Sequence, residues 1–343
     1  MPRVPRRPRS RSAAAAGLAL AALAALAPAA RAAQPEPRPA AAQACAARVS
    51  TAHVLPGDRV YPEGIGADPR TGELYVSSFT TGAVYKITPG RTEAEVFLPS
   101  GTDGRTTAGG LKADRAGRLW VADQAGVSLY DVHGRRLVAR FDAPVADGAW
   151  VNDVAIGPDG TAYLTDSRRA TVYRVTPAQV RQAVADGGRA RLRDGFDLSG
   201  MVDPHQPDAF TLNGLVVDPA GRYVLAVDMT GGDLYRLGIA TGSVRRVTLR
   251  GADLTHADGL DLRHGTLWAA HNRSNTISRW RISPDGGRAR LERLLTDPSL
   301  QTPTTLVRQD GRLLVVRSQF DKGGPMGPGT PERPFTVAAV DGI

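Results

Sequence analysis

From residue 48 onward the chain is a succession of short apolar runs rich in Val, Leu, Ile and Tyr, each bounded by Gly, Pro, Asn or Asp. Runs of this length and composition between turn formers are strand chemistry, and the scatter of 38 Gly and 25 Pro favours many short elements over long helices. One pattern returns six times. A lead residue is followed by Gly or a substitute, then an aliphatic, a turn and a second strand. The copies begin Glu63-Gly64-Ile65, Gly109-Gly110-Leu111, Asn152-Asp153-Val154, Asn213-Gly214-Leu215, Asp258-Gly259-Leu260 and Thr304-Thr305-Leu306. The steps between lead residues are 46, 43, 61, 45 and 46. A period in the forties holding only strands and turns is the signature of propeller blades.

The second strands fall at residues 74–78, 119–123, 162–166, 223–228, 267–271 and 313–317, and the third at 83–87, 127–132, 171–175, 233–237, 276–282 and 335–340. A fourth strand is legible at 95–98, 137–141, 244–249 and 289–294. The long third step carries an insertion with a short helix over 178–185. The sixth repeat ends one strand short, and a spare strand, residues 48–55, precedes the first. The expectation is an all-β fold, a six-bladed β-propeller over residues 48–343, in which the N-terminal strand closes the last blade by pairing antiparallel with 335–340. Such closure removes exposed sheet edges.

Residues 1–33 form a separate object. Five arginines precede an Ala/Leu run that ends at Pro28, and Ala30-Arg31-Ala32 fits a small-residue cleavage site. This reads as a secretory signal peptide, with residues 34–47 as a Pro/Ala-rich linker and an extracytoplasmic bacterial location. It also accounts for the charge. Of 43 basic and 34 acidic residues, six arginines and no acids lie in residues 1–33, so the +9 of the full chain falls to about +3. That balance gives no footprint for nucleic acid. The remainder holds no apolar stretch of membrane-spanning length. Cys45 is the only cysteine, so no intrachain disulfide forms. The expected partner is a small molecule, and the expected state a monomer without membrane attachment once the signal is removed.

In a propeller the innermost strands surround one channel, so equivalent positions form a ring. The lead residues give Glu63, Gly109, Asn152, Asn213, Asp258 and Thr304: two carboxylates, two carboxamides, a hydroxyl and a blank. Every donor is a hard oxygen, the set calcium takes six to eight of at about 2.3–2.6 Å, and His or Cys, which zinc prefers, are missing from it. Asn-Gly and Asp-Gly are also ordinary turn dipeptides. Glu63 in Pro-Glu-Gly is not, and the register across separate repeats favours a metal ring of Glu63, Asn152, Asn213 and Asp258.

Pro62-Glu63-Gly64, Val151-Asn152-Asp153, Leu212-Asn213-Gly214 and Ala257-Asp258-Gly259 resemble the metal-site motifs of the gluconolactonase/regucalcin (senescence marker protein) family, over roughly residues 56–320. The resemblance implies a divalent metal, calcium foremost with zinc, manganese or magnesium as alternatives, held by Glu63, Asn213 and Asp258. It further implies that Asn152 contacts metal or substrate and that Asp258 is a general base. The activity implied is metal-dependent hydrolysis of a small lactone or ester. Gly109 departs from the family, where some relatives carry a polar substrate contact. His256 and His205 stand just before Asp258 and Asn213, and His256 is a candidate proton carrier of the kind paraoxonase-like relatives use. The competing reading is a non-catalytic propeller that holds a structural metal and presents its loops to a ligand or partner. Substrate choice is expected in the loops at 100–107, 142–151, 191–212 and 321–334.

Overall fold

The computed structural model describes residues 47–144, 148–206 and 208–343. The expected signal peptide and all but the last residue of the linker lie outside the described residues. Among those described, no helix is long and apolar enough to cross a membrane.

Six sheets follow one another along the chain, antiparallel except for one parallel outer strand added to blade two and one to blade five. Their innermost strands are Pro62–Ala67, Leu111–Ala113, Val151–Ile156, Leu212–Val217, Ala257–Arg263 and Pro303–Gln309. Each contacts the next, and the last contacts the first, which closes a ring of six blades. Arg48–Leu55 pairs antiparallel with Phe335–Asp341, from Arg48 opposite Asp341 to Leu55 opposite Phe335. The N-terminal strand therefore completes blade six as its pattern requires.

Both faces of each blade are buried, and strand alternation divides the side chains between neighbours. In blade two, Leu119 and Val121 pack toward blade one while Trp120 and Ala122 pack toward blade three. In blade five, Leu267 and Ala269 face blade four, and Trp268 and Ala270 face blade six. The buried apolar residues thus form six clusters, one in each seam between adjacent blades.

Two outer strands differ from the sequence pattern. Residues 244–249 are not one strand. Val244–Arg246 closes blade four, whereas Thr248–Arg250 runs parallel to Arg288–Thr296 of blade five. The handover falls at Val247, which is buried in the seam and donates its N–H to Leu234 O at 2.7 Å. The fourth strand of blade three, Arg193–Asp197, carries Arg, Asp and Gly and has no apolar signature to reveal it. The insertion before it holds the expected helix, Pro177–Ala185. Thr176 caps it by accepting from Gln179 N, and Gln179 reciprocates on Thr176 N, a capping box that fixes its start.

Because Leu55 is fully buried in the seam between blades six and one, Leu55→Ala is expected to lower stability by about 2–5 kcal/mol in chemical denaturation. A loss below about 0.5 kcal/mol, typical of surface positions, would mean that residues 48–55 merely decorate the ring.

Candidate metal centre and substrate cavity

Five of the six innermost strands lose register with their neighbour across the lead triplet, at Pro62/Ile65, Val151/Val154, Leu212/Leu215, Ala257/Leu260 and Pro303/Leu306. Such bulges bend a strand and re-aim a side chain. Neighbouring bulges are tied by second-strand hydroxyls. Ser77 Oγ accepts from Gly64 N and donates to Gly109 O, both at 2.7 Å. Thr165 Oγ1 accepts from Asp153 N and donates to Asn213 O at 2.7 Å. In blade two Gly110 N reaches Asn152 O directly at 2.9 Å. Between blades six and one, Thr304 Oγ1 donates to Glu63 O at 2.7 Å. The Thr304 hydroxyl is thereby used for closure and lies outside the cavity lining.

Glu63, Asn152, Asn213 and Asp258 do converge. All four are buried and line one cavity of about 370 Å³ at a mouth of the channel. Gly109 lines it too. A Cβ there would stand 3.0 Å from Asn152 O and 3.8 Å from Glu63 Oε2, so the blank position keeps space open beside the glutamate. The amides are oriented by their partners. Ser167 Oγ gives its proton to Leu212 O, so it must accept from Asn152 Nδ2, at 2.8 Å, which leaves the Asn152 carbonyl for the cavity. Asn213 Nδ2 lies 3.1 Å from Met229 Sδ. Asn272 Oδ1 accepts from Arg273 N, so its Nδ2 faces Asp258 Oδ2 at 2.7 Å.

The electrostatics call for a cation. Glu63 Oε2 is buried and has no hydrogen-bond partner. Burial first, then the charges of Asp258 and Asp153, push the Glu63 carboxyl well above its ordinary range, against a smaller pull from Lys112. Burial likewise raises Asp258 to about 7, opposed by its hydrogen bonds to Asn272 and Asn213 and reinforced by Asp153. Three buried carboxylates, Glu63, Asp153 and Asp258, are thus gathered here, and Lys112 offsets only the first two, and only in part. Among the described residues no group of three or more His, Cys, Asp or Glu gathers as a metal site. The centre instead combines two carboxylates with two amide oxygens, the hard-donor chemistry that suits calcium or a similar divalent ion.

His256 does not join this set. It has a left-handed backbone (φ 62°), its ring makes no hydrogen bond among the described residues, and it is not among the cavity-lining residues. Burial and nearby Arg273 push its imidazole below the usual range, which favours the neutral form. His205 bonds instead to buried Asp228 at 2.7 Å, pinning the insertion loop to blade four. The repeated Asp/His position at the end of the second strand is structural throughout. Asp166 Oδ1 accepts from Trp150 N and Arg168 N, and Asp228 Oδ1 from Thr230 N and Gly231 N. Asp123 binds Ala125 N and Arg140, and His271 bonds Ser278 and Thr255 O.

Sequence reasoning did not single out Asp153, Asn272 or Lys112. Asp153 had a signal: it is an acid where four of the six repeats place Gly in the second position. Asn272 and Lys112 had none, since their neighbours come from other strands. The four loops expected to govern substrate choice do reach the cavity, through Thr107, Trp150, Phe210 and Met326.

Fold and centre together define a six-bladed propeller with carboxylates and carboxamides gathered at one mouth of its channel. The sequence model of the SMP-30/Gluconolactonase/LRE-like region matches residues 61–317, and the chain belongs to that family. No curated protein matches it in sequence. Among solved structures it is similar to a gluconolactonase from Xanthomonas campestris at 17% identity and a TM-score of 0.57, covering 86% of this chain and 89% of that one. A regucalcin from Agrobacterium tumefaciens, described as a calcium-binding protein, has 17% identity and a TM-score of 0.55 over 86% and 98% of the two chains. A PQQ-bound aldose sugar dehydrogenase from Streptomyces coelicolor has 15% identity and 0.55 over 86% and 98%. At these identities the likenesses show the fold alone, and the fold hosts more than one chemistry.

Calcium at a hundredfold excess over its Kd is expected to add about 2.7 kcal/mol of stability, read as a rise of several degrees in Tm over chelator-treated protein. Lys112→Met removes the cation that offsets Glu63 and Asp153. It is expected to cost about 1–2 kcal/mol in chelator and less in calcium. A Tm indifferent to calcium in both proteins would show that the carboxylates need no ion.

Proposed function

We propose that this protein is an exported, metal-dependent hydrolase of a small lactone or ester, with calcium as its ion. The observation that carries the reading is the unpartnered, buried Oε2 of Glu63 beside Asp258. A scaffold protein gains nothing from two buried like charges, whereas a cation site requires them. Membership of a family that includes gluconolactonases supports hydrolysis, and the arginine-led apolar N-terminus supports export.

Glu63, Asn213 and Asp258 would hold the ion, with Asn152 beside them. Once bound, a calcium ion polarises a carbonyl oxygen and lowers the pKa of a neighbouring water. Asn152, locked by Ser167, orients the substrate oxygen. Asp258 accepts a proton as the water oxygen bonds to the acyl carbon. The acyl C–O bond then breaks, and the proton passes to the departing alkoxide, so one lactone and one water give one hydroxy acid. Asn272 positions the Asp258 carboxylate through the 2.7 Å contact with its Oδ2. Gly109 leaves room for the substrate next to Glu63.

Two substitutions separate ion binding from proton transfer. Asp258→Asn keeps an oxygen donor and removes the base, so kcat is expected to fall about a hundredfold or more while calcium affinity falls only a few-fold. Glu63→Gln should show the reverse: a large loss of affinity by titration calorimetry, with kcat largely restored at saturating calcium. Equal losses in both quantities for both variants would contradict the division of roles. A protein that is stabilised by calcium but hydrolyses no lactone or ester would favour the binding-scaffold alternative, in which the metal is structural.

A further inference from the structure

Above its acidic floor the cavity changes character. Phe320, Phe79, Trp150 and Phe210, from four different blades, form an aromatic arc. Phe320 and Phe79 lie 5.2 Å apart between ring centroids, Phe79 and Trp150 stack at 6.5 Å, and Trp150 meets Phe210 edge-on at 4.8 Å. Met229 and Met326 continue the same apolar wall. A polyhydroxylated ring needs several hydrogen-bonding partners, and a site lacking them leaves its hydroxyls unpaired. Among the neutral lining residues above the floor, only Thr107 and Gln124 have polar side chains uncommitted to any described residue, since Asn272 is engaged by Asp258.

Two cations accompany the arc. The Arg168 guanidinium lies 5.3 Å from the Trp150 ring centre and 5.7 Å from that of Phe210. Arg273 lines the cavity from blade five. Neither makes an ion pair or a side-chain hydrogen bond among the described residues. The placement is built. Asp166 Oδ1 accepts from the backbone N–H of both Trp150 and Arg168 at 3.0 Å, setting the ring and the guanidinium side by side. Thr230 Oγ1 holds Phe210 O at 2.6 Å. An arginine stacked on aromatic rings keeps its fork of donors free for a planar oxyanion.

We propose that the substrate is an aryl-substituted lactone or ester bearing an anionic group, its ring lying on the Phe79–Trp150–Phe210 arc and its anion meeting Arg168 and Arg273. This rests on the hydrolase reading and names the substrate class that reading leaves open. The cavity is bipolar: the floor repels anions until a cation is bound, while the rim attracts them. An anionic aryl substrate is thus oriented with its charge outward and its reacting carbonyl toward Asn152 and Asp258.

The test uses 4-ethylbenzoate, an unreactive aryl anion, with 4-ethylbenzamide and gluconate for comparison, in calcium-containing buffer. Trp150 is the only half-buried tryptophan; Trp120, Trp268 and Trp280 are buried, so quenching that disappears in Trp150→Phe reports the arc. The expected result is saturable quenching by 4-ethylbenzoate, about tenfold tighter than by the amide, and none by gluconate. The Arg168→Gln/Arg273→Gln protein should weaken 4-ethylbenzoate about tenfold and the amide less than threefold. In steady state, the para-carboxy derivative of γ-phenyl-γ-butyrolactone should exceed glucono-δ-lactone in kcat/KM by tenfold or more. Binding with the expected selectivity but no hydrolysis would remove the hydrolase reading and keep the recognition. Preferred hydrolysis of the sugar lactone, with no quenching by 4-ethylbenzoate, would keep the hydrolase reading and overturn this one. Equal affinity in the double arginine variant would place the carboxylate on the calcium and also overturn it.

Discussion

Where Gly214 passes the next blade, a methyl group would stand 2.1 Å from the backbone oxygen of Asp258, and at Gly110 it would stand 2.2 Å from Asp153 Oδ1. The inner strands approach so closely that side chains are excluded from the second place of most lead triplets. In blades one, three, four and five the adjacent backbone bulges, and the first side chain of the triplet turns into the channel. Hydroxyls of the second strands hold this geometry from blade to blade, and Thr304 carries it across the closure by binding Glu63 O. The position of Glu63 therefore depends on the completed ring, and the ring on the N-terminal strand that completes blade six.

That convergence has an electrostatic consequence. Carboxylates from blades one, three and five meet in a water-poor space, and burial raises the pKa values of Glu63, Asp153 and Asp258 together. The fold supplies one partial remedy in Lys112. The remaining demand for positive charge, together with amide oxygens fixed by Ser167 and Met229, is the ground for proposing a hard divalent ion there. The same inner strands that force the charges together also leave the glycine gap at position 109, where a reacting group has room.

The rim obeys different rules. Its aromatic residues and arginines come from loops and strand ends, and Trp150, Arg168 and Phe210 are placed by turn hydrogen bonds to Asp166 and by Thr230, whose own N–H is held by Asp228. Residues that look like repeated structural acids thus set part of the aromatic wall as well as the turns. In this chain a floor built on strands lies beneath a wall built by loops, the part of a fold where sequence varies most freely.

The six-fold period, the closure by residues 48–55 and the oxygen-donor ring were legible because each follows from local chemistry repeated at a fixed spacing. Strand alternation and turn residues mark a blade, and a blade's place in a ring maps equivalent positions onto one point. Glu63, Asn152, Asn213 and Asp258 were readable for that reason. The division of residues 244–250 between two blades was not, because both halves have the same β character and only the seam around Val247 decides which neighbour each joins. Lys112, Asn272 and the Phe79–Trp150–Phe210 arc sit at places where the residue type changes from blade to blade, so no repeated chemistry marked them, and His256 stood two residues before Asp258 in sequence yet outside the cavity. Their roles depend on which side chains from distant strands meet, and that is fixed only when six seams pack at once.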